Sequence, residues 1–471
     1  MIKNQIQYDL TKSQLHKFEH ALTSLRDSER DNTIHELLWK AQIDALESQV
    51  EELTNQIKEY ESYINQEVDP GNFSLDDLPT LIIAKRLMLG LTEEMLADKL
   101  DIPEAEIIKY EEEDYSTVSY GMLVNLIKIL EIDQDNKDFE VLIHLNPDEI
   151  FRKLHRVGFT KQFILQKLIS FKNKSSSSLS IINLLSSIKK IFNIAPKDIE
   201  MGSQLQLNFV DYSPLYKLPE NASEDKVKMY TTYALYIAKI ISKSIVEINM
   251  NTLPDYPELM STEIKNEYGE VNFENTLYYA WSKGVAVVPL NDPGGFHGAF
   301  WRIQNRNIIF LKQKSQYESR WLFDLLHELW HAAQEQEKEE RFKIDVESMI
   351  DGDSQVNYDK EEKVANIFAW EVIFEGKAEE LAKKCAEKAD NFGPKLKSTL
   401  IEVATENGVK VDYLANYLAY RADVNLWGVA ANLQSKDIDP YEVAKDILFE
   451  KLDYSKLEIE EIELLDNLFE D

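Results

Sequence analysis

The densest chemistry in this 471-residue chain lies in one short string, His327-Glu328-Leu329-Trp330-His331. Two imidazoles four residues apart share one face of a helix, so both can offer a ring nitrogen to a single ion. Glu328, one residue past the first, reaches the side where a bound water would sit, which is where a general base is needed. Bound zinc brings the pKa of such a water to about 7, so hydroxide becomes available at neutral pH. Leu322, Phe323, Leu325, Leu326 and Leu329 make the rest of the segment apolar, as a buried active-site helix requires.

A catalytic zinc site needs a third protein ligand. Glu362, in Glu362-Lys-Val-Ala365-Asn366-Ile-Phe368-Ala369, is the first candidate, with the adjacent Glu361 as the alternative. Ala365 and Ala369 are small enough to let their helix approach the first one closely. Asn366, one turn from Glu362, can hydrogen-bond a ligand histidine and fix its ring. His297, just before a strand, is a candidate either for stabilising the oxyanion of peptide hydrolysis or for capping a turn. Arg320, upstream on the metal helix, is expected to support the site structurally.

These groups need a scaffold. Val285–Pro289, Gly298–Ile303 and Asn307–Leu311 read as short strands separated by turn residues. Helices are expected over Tyr230–Ile248, Glu318–Glu337 and Lys360–Phe374, with more across 376–451. The expected fold class is mostly α with a small β-sheet (α+β), in which helical N-terminal modules precede a zincin-like metallopeptidase domain. The boundaries fall at 1–70 (helical hairpin or coiled coil), 71–135 (helix-turn-helix), 136–200 (basic helical module), 201–225 (linker), 226–451 (peptidase domain) and 452–471 (acidic C-terminal tail).

The N-terminal modules rest on patterning. Leu15, Phe18, Leu22 and Leu25, and then Leu46, Val50, Leu53, Ile57 and Tyr60, form two heptad-like seams. They serve either a hairpin closed on itself or a homodimer. Residues 77–132 alternate short helices and tight turns, with Thr92 as an N-cap, Pro103 at a helix start, and Ile107 and Ile108 buried. From Phe151 to Lys197 there are ten Lys or Arg and no Asp or Glu, in a chain of net charge −32. Arg152, Lys153, Arg156, Lys161 and Lys167 are the candidate nucleic-acid contacts of that island, and Ser175–Ser178 marks a loop within it.

The remaining composition sets bounds. A net charge of −32 repels nucleic acid as a whole. The single cysteine, Cys385, excludes an internal disulfide and points to a reducing compartment. No apolar run long enough for a membrane span occurs, and Met1-Ile-Lys-Asn-Gln-Ile-Gln carries no apolar signal core, so a cytoplasmic protein without membrane contact is expected.

The segment Trp301–Phe374 resembles the ImmA/IrrE family of metallo-endopeptidases, on the strand before the motif, Arg320, the HELWH string and Glu362-x-x-Ala365-Asn366-x-Phe368-Ala369. The resemblance implies that His327, His331 and Glu362 bind zinc in a gluzincin-like set and that Glu328 is catalytic. Leu78–Ile132 is similar to an XRE-type helix-turn-helix, and the domain order resembles fused XRE/ImmA proteins. That implies a zinc endopeptidase cutting a protein substrate, a helix-turn-helix repressor or antitoxin, in bacterial stress, mobile-element or defence regulation. The alternative is a DNA-binding regulator or antitoxin in which the peptidase fold is a sensor or scaffold. Residues 71–132 depart from the pattern: five bases against thirteen acids, with Glu104, Glu106, Glu111, Glu112, Glu113 and Asp114 on the presumed recognition helix. Phosphate contacts need cations. Three readings follow: the basic island supplies them, the helix-turn-helix recognises protein, or DNA binding is lost, the last two with the island matching acidic surface elsewhere.

Overall fold

A computed structural model describes residues 1–28, 35–169, 177–201, 224–245, 252–290, 298–313, 315–345, 360–389, 395–422 and 425–469. The chain is mostly helical with one small sheet and divides into two compact units. One holds the described residues to 201 except 157–159; the other holds 157–159 and those from 224 onward.

In the first unit, α1 (Gln5–Asp27) and α2 (Glu36–Ile64) pack along their seams. Tyr8 stacks on Tyr60 at 4.9 Å, and Arg26 pairs with Glu47, so the helices run antiparallel. Next come α3 (Leu78–Met88), α4 (Glu93–Leu100), α5 (Glu104–Glu112), α6 (Tyr120–Ile129), α7 (Ile132–Asp135) and α8 (Lys137–His144). Thr92 caps α4 by accepting from the Met95 amide. Asp101 turns the chain from α4 into α5 at a left-handed φ of 56°. Pro103 is the N-cap of α5 rather than its first turn, and Ile108 is 41% exposed, so only Ile107 of the expected pair faces inward. The inward polar residue is Glu111. It takes two hydrogen bonds from the buried Arg86 guanidinium, at 2.6 and 2.8 Å, which tie α3 to α5. A buried carboxylate survives only with such a partner.

The unit ends with α9 (Pro147–Arg156), α10 (Lys161–Phe163) leading into a π-helical turn at Ile164–Leu168, α11 (Ser177–Phe192) and α12 (Pro196–Met201). Ser177 and Ser178 therefore belong to a helix rather than a loop.

The second unit opens with α13 (Glu224–Ser244), α14 (Pro257–Tyr268) and α15 (Phe273–Ser282). β1 (Val285–Pro289), β2 (Gly298–Ile303) and β3 (Arg306–Leu311) follow, then α16 (Glu318–Ala333), β4 (Arg341–Asp345) and α17 (Lys360–Phe374). The sheet order is β1-β3-β2-β4, with β1 and β3 parallel and the other pairs antiparallel. Gln304 and Asn305 join β2 to β3 with φ of 49° and 64°; two positive values in a two-residue loop match the right-handed twist of the strands. β4 is a strand that the sequence reading did not anticipate. Helices α18 (Ala378–Lys388), α19 (Leu396–Asn407), α20 (Val411–Arg421), α21 (Trp427–Ala431) and α22 (Pro440–Lys451) complete the core.

The expected acidic tail is instead a packed element. α23 (Ile459–Phe469) buries Leu464, Leu465 and Leu468, and Phe469 meets Phe449 edge to face at 5.1 Å. Its acids lie on the other side of an apolar stripe, which the net charge of the segment conceals. The expected linker falls almost wholly on residues outside those described. No helix among the described residues is long and apolar enough to cross a membrane.

Candidate metal centre

Helix α16 is buried on nearly every side because it lies between the sheet and α15, α17 and α20. Leu322, Leu325, Leu326 and Leu329 are wholly buried and fix its rotation. Among the polar side chains of the helix, His327, Glu328 and His331 are then also drawn inside. Burial of unpaired polar groups costs free energy, so their partners decide what the site is for.

The partners come from α17. Ala365 and Ala369 are wholly buried and admit α16 closely. Nε2 of His327 lies 3.2 Å from a Glu362 carboxylate oxygen, and Nε2 of His331 lies 3.6 Å from the other. The two Nε2 atoms are 3.1 Å apart. One donor atom from each of His327, His331 and Glu362 falls within 4.8 Å of the other two.

The other ring nitrogens set the tautomers. Nδ1 of His327 is 3.0 Å from Oδ1 of Asn366, an acceptor, so the proton sits on Nδ1 and the lone pair on Nε2. Nδ1 of His331 faces Oε1 of Glu361 at 3.6 Å, a charge contact rather than a hydrogen bond. That field likewise favours the proton on Nδ1. Two imidazole lone pairs and a carboxylate thus converge on one point, a donor set suited to a cation, a proton or a metal, between them. The donor set fits a metal, and Glu361, which meets the far side of the His331 ring, is placed to orient a ligand rather than to be one.

Strand β4 supplies the balancing charge. Arg341 donates to Glu361 at 2.6 Å and to the His331 carbonyl at 2.7 Å, and Lys343 pairs with Glu362 at 2.7 Å. The His331 ring and these cations hold the Glu361 carboxyl down to about 2 against the effect of burial. Burial works to raise the Glu362 carboxyl, but both histidines outweigh it and keep that group well below the usual carboxylate range.

The far end of α16 is locked from β2. Arg302, 3% exposed, donates to the Ala332 and Glu335 carbonyls at 2.6 Å each and to Asn307 Oδ1 at 2.8 Å. Of the carbonyls that follow His331, it satisfies those of Ala332 and Glu335. Sequence reasoning missed Arg302, Arg341 and Lys343. The signal for Arg341 and Lys343 was the alternation Arg-Phe-Lys-Ile-Asp at 341–345, charged and apolar in turn, which marks a strand with one polar face.

Of the other expected site residues, Glu328 is 2% exposed and packs against Gly298. His297 lies outside the described residues. Arg320 stands over the Trp427 ring at 5.4 Å, and burial lowers its pKa; among the described residues its contacts are away from the ligands. The nucleic-acid candidates divide. Arg152, Arg156 and Lys161 are exposed. Lys153 instead donates to the Ile199 and Glu200 carbonyls at 2.6 and 2.8 Å, and Lys167 is buried. Elsewhere in the island, Lys189 pairs with Asp138 and Lys190 with Asp76.

No curated protein and no solved structure gives a match to the chain. Residues 283–412, which span the sheet, both ligand-bearing helices and the start of α20, match the family model of the IrrE N-terminal-like domain, peptidase family M78, and this supports a metallopeptidase-type function for that part of the chain.

Proposed function

We propose that this protein is a zinc-dependent endopeptidase of gluzincin-like ligand set whose substrate is a protein, a helix-turn-helix repressor or antitoxin. The observation that carries the reading is the convergence of three electron-pair donors, His327 Nε2, His331 Nε2 and Glu362, with the remaining His327 nitrogen committed to Asn366. Zinc held there would act as a Lewis acid toward a peptide carbonyl and toward water. Asn366 and Glu361 orient the two rings. Glu328, next to a ligand and nearly sealed from solvent, takes the proton of the attacking water on its carboxylate and returns it to the leaving amide nitrogen. Lys343 and Arg341 keep both α17 carboxylates ionised, so no proton competes for the ligand oxygens. His297 remains the proposed donor to the oxyanion.

The domain order supports a regulatory role: the helix-turn-helix region at 71–135 serves as an XRE-type module that recognises protein. Two features weigh against phosphate binding by the first unit, the acidity of α5 and the internal engagement of Lys153, Lys167, Lys189 and Lys190.

The test is direct. Purified protein should hold about one zinc per chain, as expected for a single three-ligand site. Metal-loaded protein incubated with the product of a neighbouring small helix-turn-helix gene should yield a defined fragment. Glu328→Gln should keep the metal and abolish the fragment. Protein that binds no metal at these histidines ends the reading.

A further inference from the structure

We propose that Gly298 is a positioning residue for Glu328: the side chain missing at the head of β2 is the slot that holds the carboxylate beside the ligand histidines. This rests on the peptidase reading and deepens it. Gly298 is buried and paired on both sides, with Leu311 of β3 and Asp345 of β4, so its Cα has no room to retreat. Its φ is not in the left-handed region, so the backbone itself would accept any residue. The demand for glycine is one of space. A Cβ at this position would overlap Oε1 of Glu328 outright and would lie 3.2 Å from Cδ and 3.6 Å from Cγ. Any larger residue must therefore push the carboxylate aside. Glu328 is 2% exposed and its helix neighbours Leu325 and Leu329 are wholly buried, so the displaced group turns into packed core or away from the ligands. In either case the base leaves the place where it can serve an attacking water, while His327, His331 and Glu362 are untouched.

The experiment is a double-substitution cycle on the full chain, using Gly298→Ala, Glu328→Ala and Glu328→Asp singly and combined. Two readouts apply: the melting temperature of the metal-free protein, and the affinity of the zinc-loaded protein for acetohydroxamate. The latter is a small metal-chelating probe whose hydroxyl needs a neighbouring carboxylate. Gly298→Ala should lower the melting temperature by a few degrees and weaken acetohydroxamate to the level of Glu328→Ala, with zinc content unchanged. In the Glu328→Ala background the same glycine substitution should add nothing to either loss. Aspartate is shorter by one methylene, so Gly298→Ala with Glu328→Asp should recover part of what Gly298→Ala alone loses. The proposal is overturned if the effect of Gly298→Ala persists undiminished without the Glu328 carboxylate, or if that substitution changes neither readout. Should wild-type protein bind no zinc, the peptidase reading fails on its own, and the melting cycle still decides whether the slot exists.

Discussion

Replacing Asn366 by alanine removes the acceptor that holds Nδ1 of His327 at 3.0 Å. Both side chains are buried, His327 to 6% and Asn366 to 9% exposure, so water cannot take over the bond. An orphaned buried N–H costs about 1–3 kcal/mol. The cost falls on the one tautomer that aims a lone pair at His331 and Glu362, so it is felt as lost metal affinity. At about 1.4 kcal/mol per factor of ten, the expected loss is about 10- to 100-fold, which is the range typical for removing an outer partner of a metal-bound histidine. Stability of the metal-free protein should barely fall, because without a metal the His327 proton can move to Nε2, which faces the Glu362 carboxylate at 3.2 Å, and Nδ1 is then no orphaned donor. The assay is competition for zinc against a chromophoric chelator, with circular dichroism as the control for folding. Asn366→Asp keeps an acceptor in place and should retain wild-type affinity. A well-folded Asn366→Ala protein with unchanged zinc affinity would refute the claim that this bond sets the tautomer.

Arg302→Met leaves the carbonyls beyond His331 without their donor; chemical denaturation should show a loss of about 3 kcal/mol, given several charge-assisted bonds at about 1.5–3 kcal/mol each. No loss would mean that water replaces the guanidinium. In the first unit, Lys153→Glu sets a carboxylate against the Ile199 and Glu200 carbonyls and should lower the melting temperature, whereas Arg152→Glu with Arg156→Glu, at exposed sites, should not. The arginine pair is therefore the clean probe of nucleic-acid binding, and a salt-dependent DNA affinity abolished by it would favour the regulator reading over the one preferred above.

The sequence displayed the centre more plainly than its supports. His327, Glu328 and His331 declare themselves by spacing on one helix, and Glu362 with Asn366 by a single turn on the next; local periodicity suffices for both. The three strands up to Leu311 were visible as apolar runs between turn residues. What stayed hidden depends on pairing across distance. Lys343 reaches Glu362 only because β4 adds to β2, and no local pattern states that pairing. Arg302 looks like a polar residue on a half-exposed strand until α16 ends over it. The partners of the basic island were hidden for the same reason. Ten bases without an acid is a fact of sequence, but whether a lysine faces solvent or an Asp from another helix, as Lys190 faces Asp76 at 2.7 Å, is decided by the fold. Charge likewise concealed the apolar stripe of α23.

The charges around the site predict how the domain behaves without its metal. Among the described residues, Arg341 and Lys343 pair with Glu361 and Glu362, and the buried carboxylate of Glu328 leaves one net negative charge. A divalent ion moves that balance to one net positive charge, so neither state buries a large uncompensated charge. Small zinc domains are different: there the metal supplies the folding energy outright. Here Leu322, Leu325, Leu326 and Leu329 hold α16 in the core whether or not a metal is bound. At about 1.5–3 kcal/mol for each buried leucine, these four contribute about 6–12 kcal/mol. Metal linkage adds about 4 kcal/mol when the ion stands a thousandfold above its dissociation constant. Chelation should therefore lower the melting temperature reversibly while the helical circular dichroism at room temperature stays intact. Collapse of that signal on adding chelator, with recovery on adding zinc, would mean that the lone pairs of His327 and His331 cannot be held together by the core, and that the metal organises the domain rather than occupying a site already built.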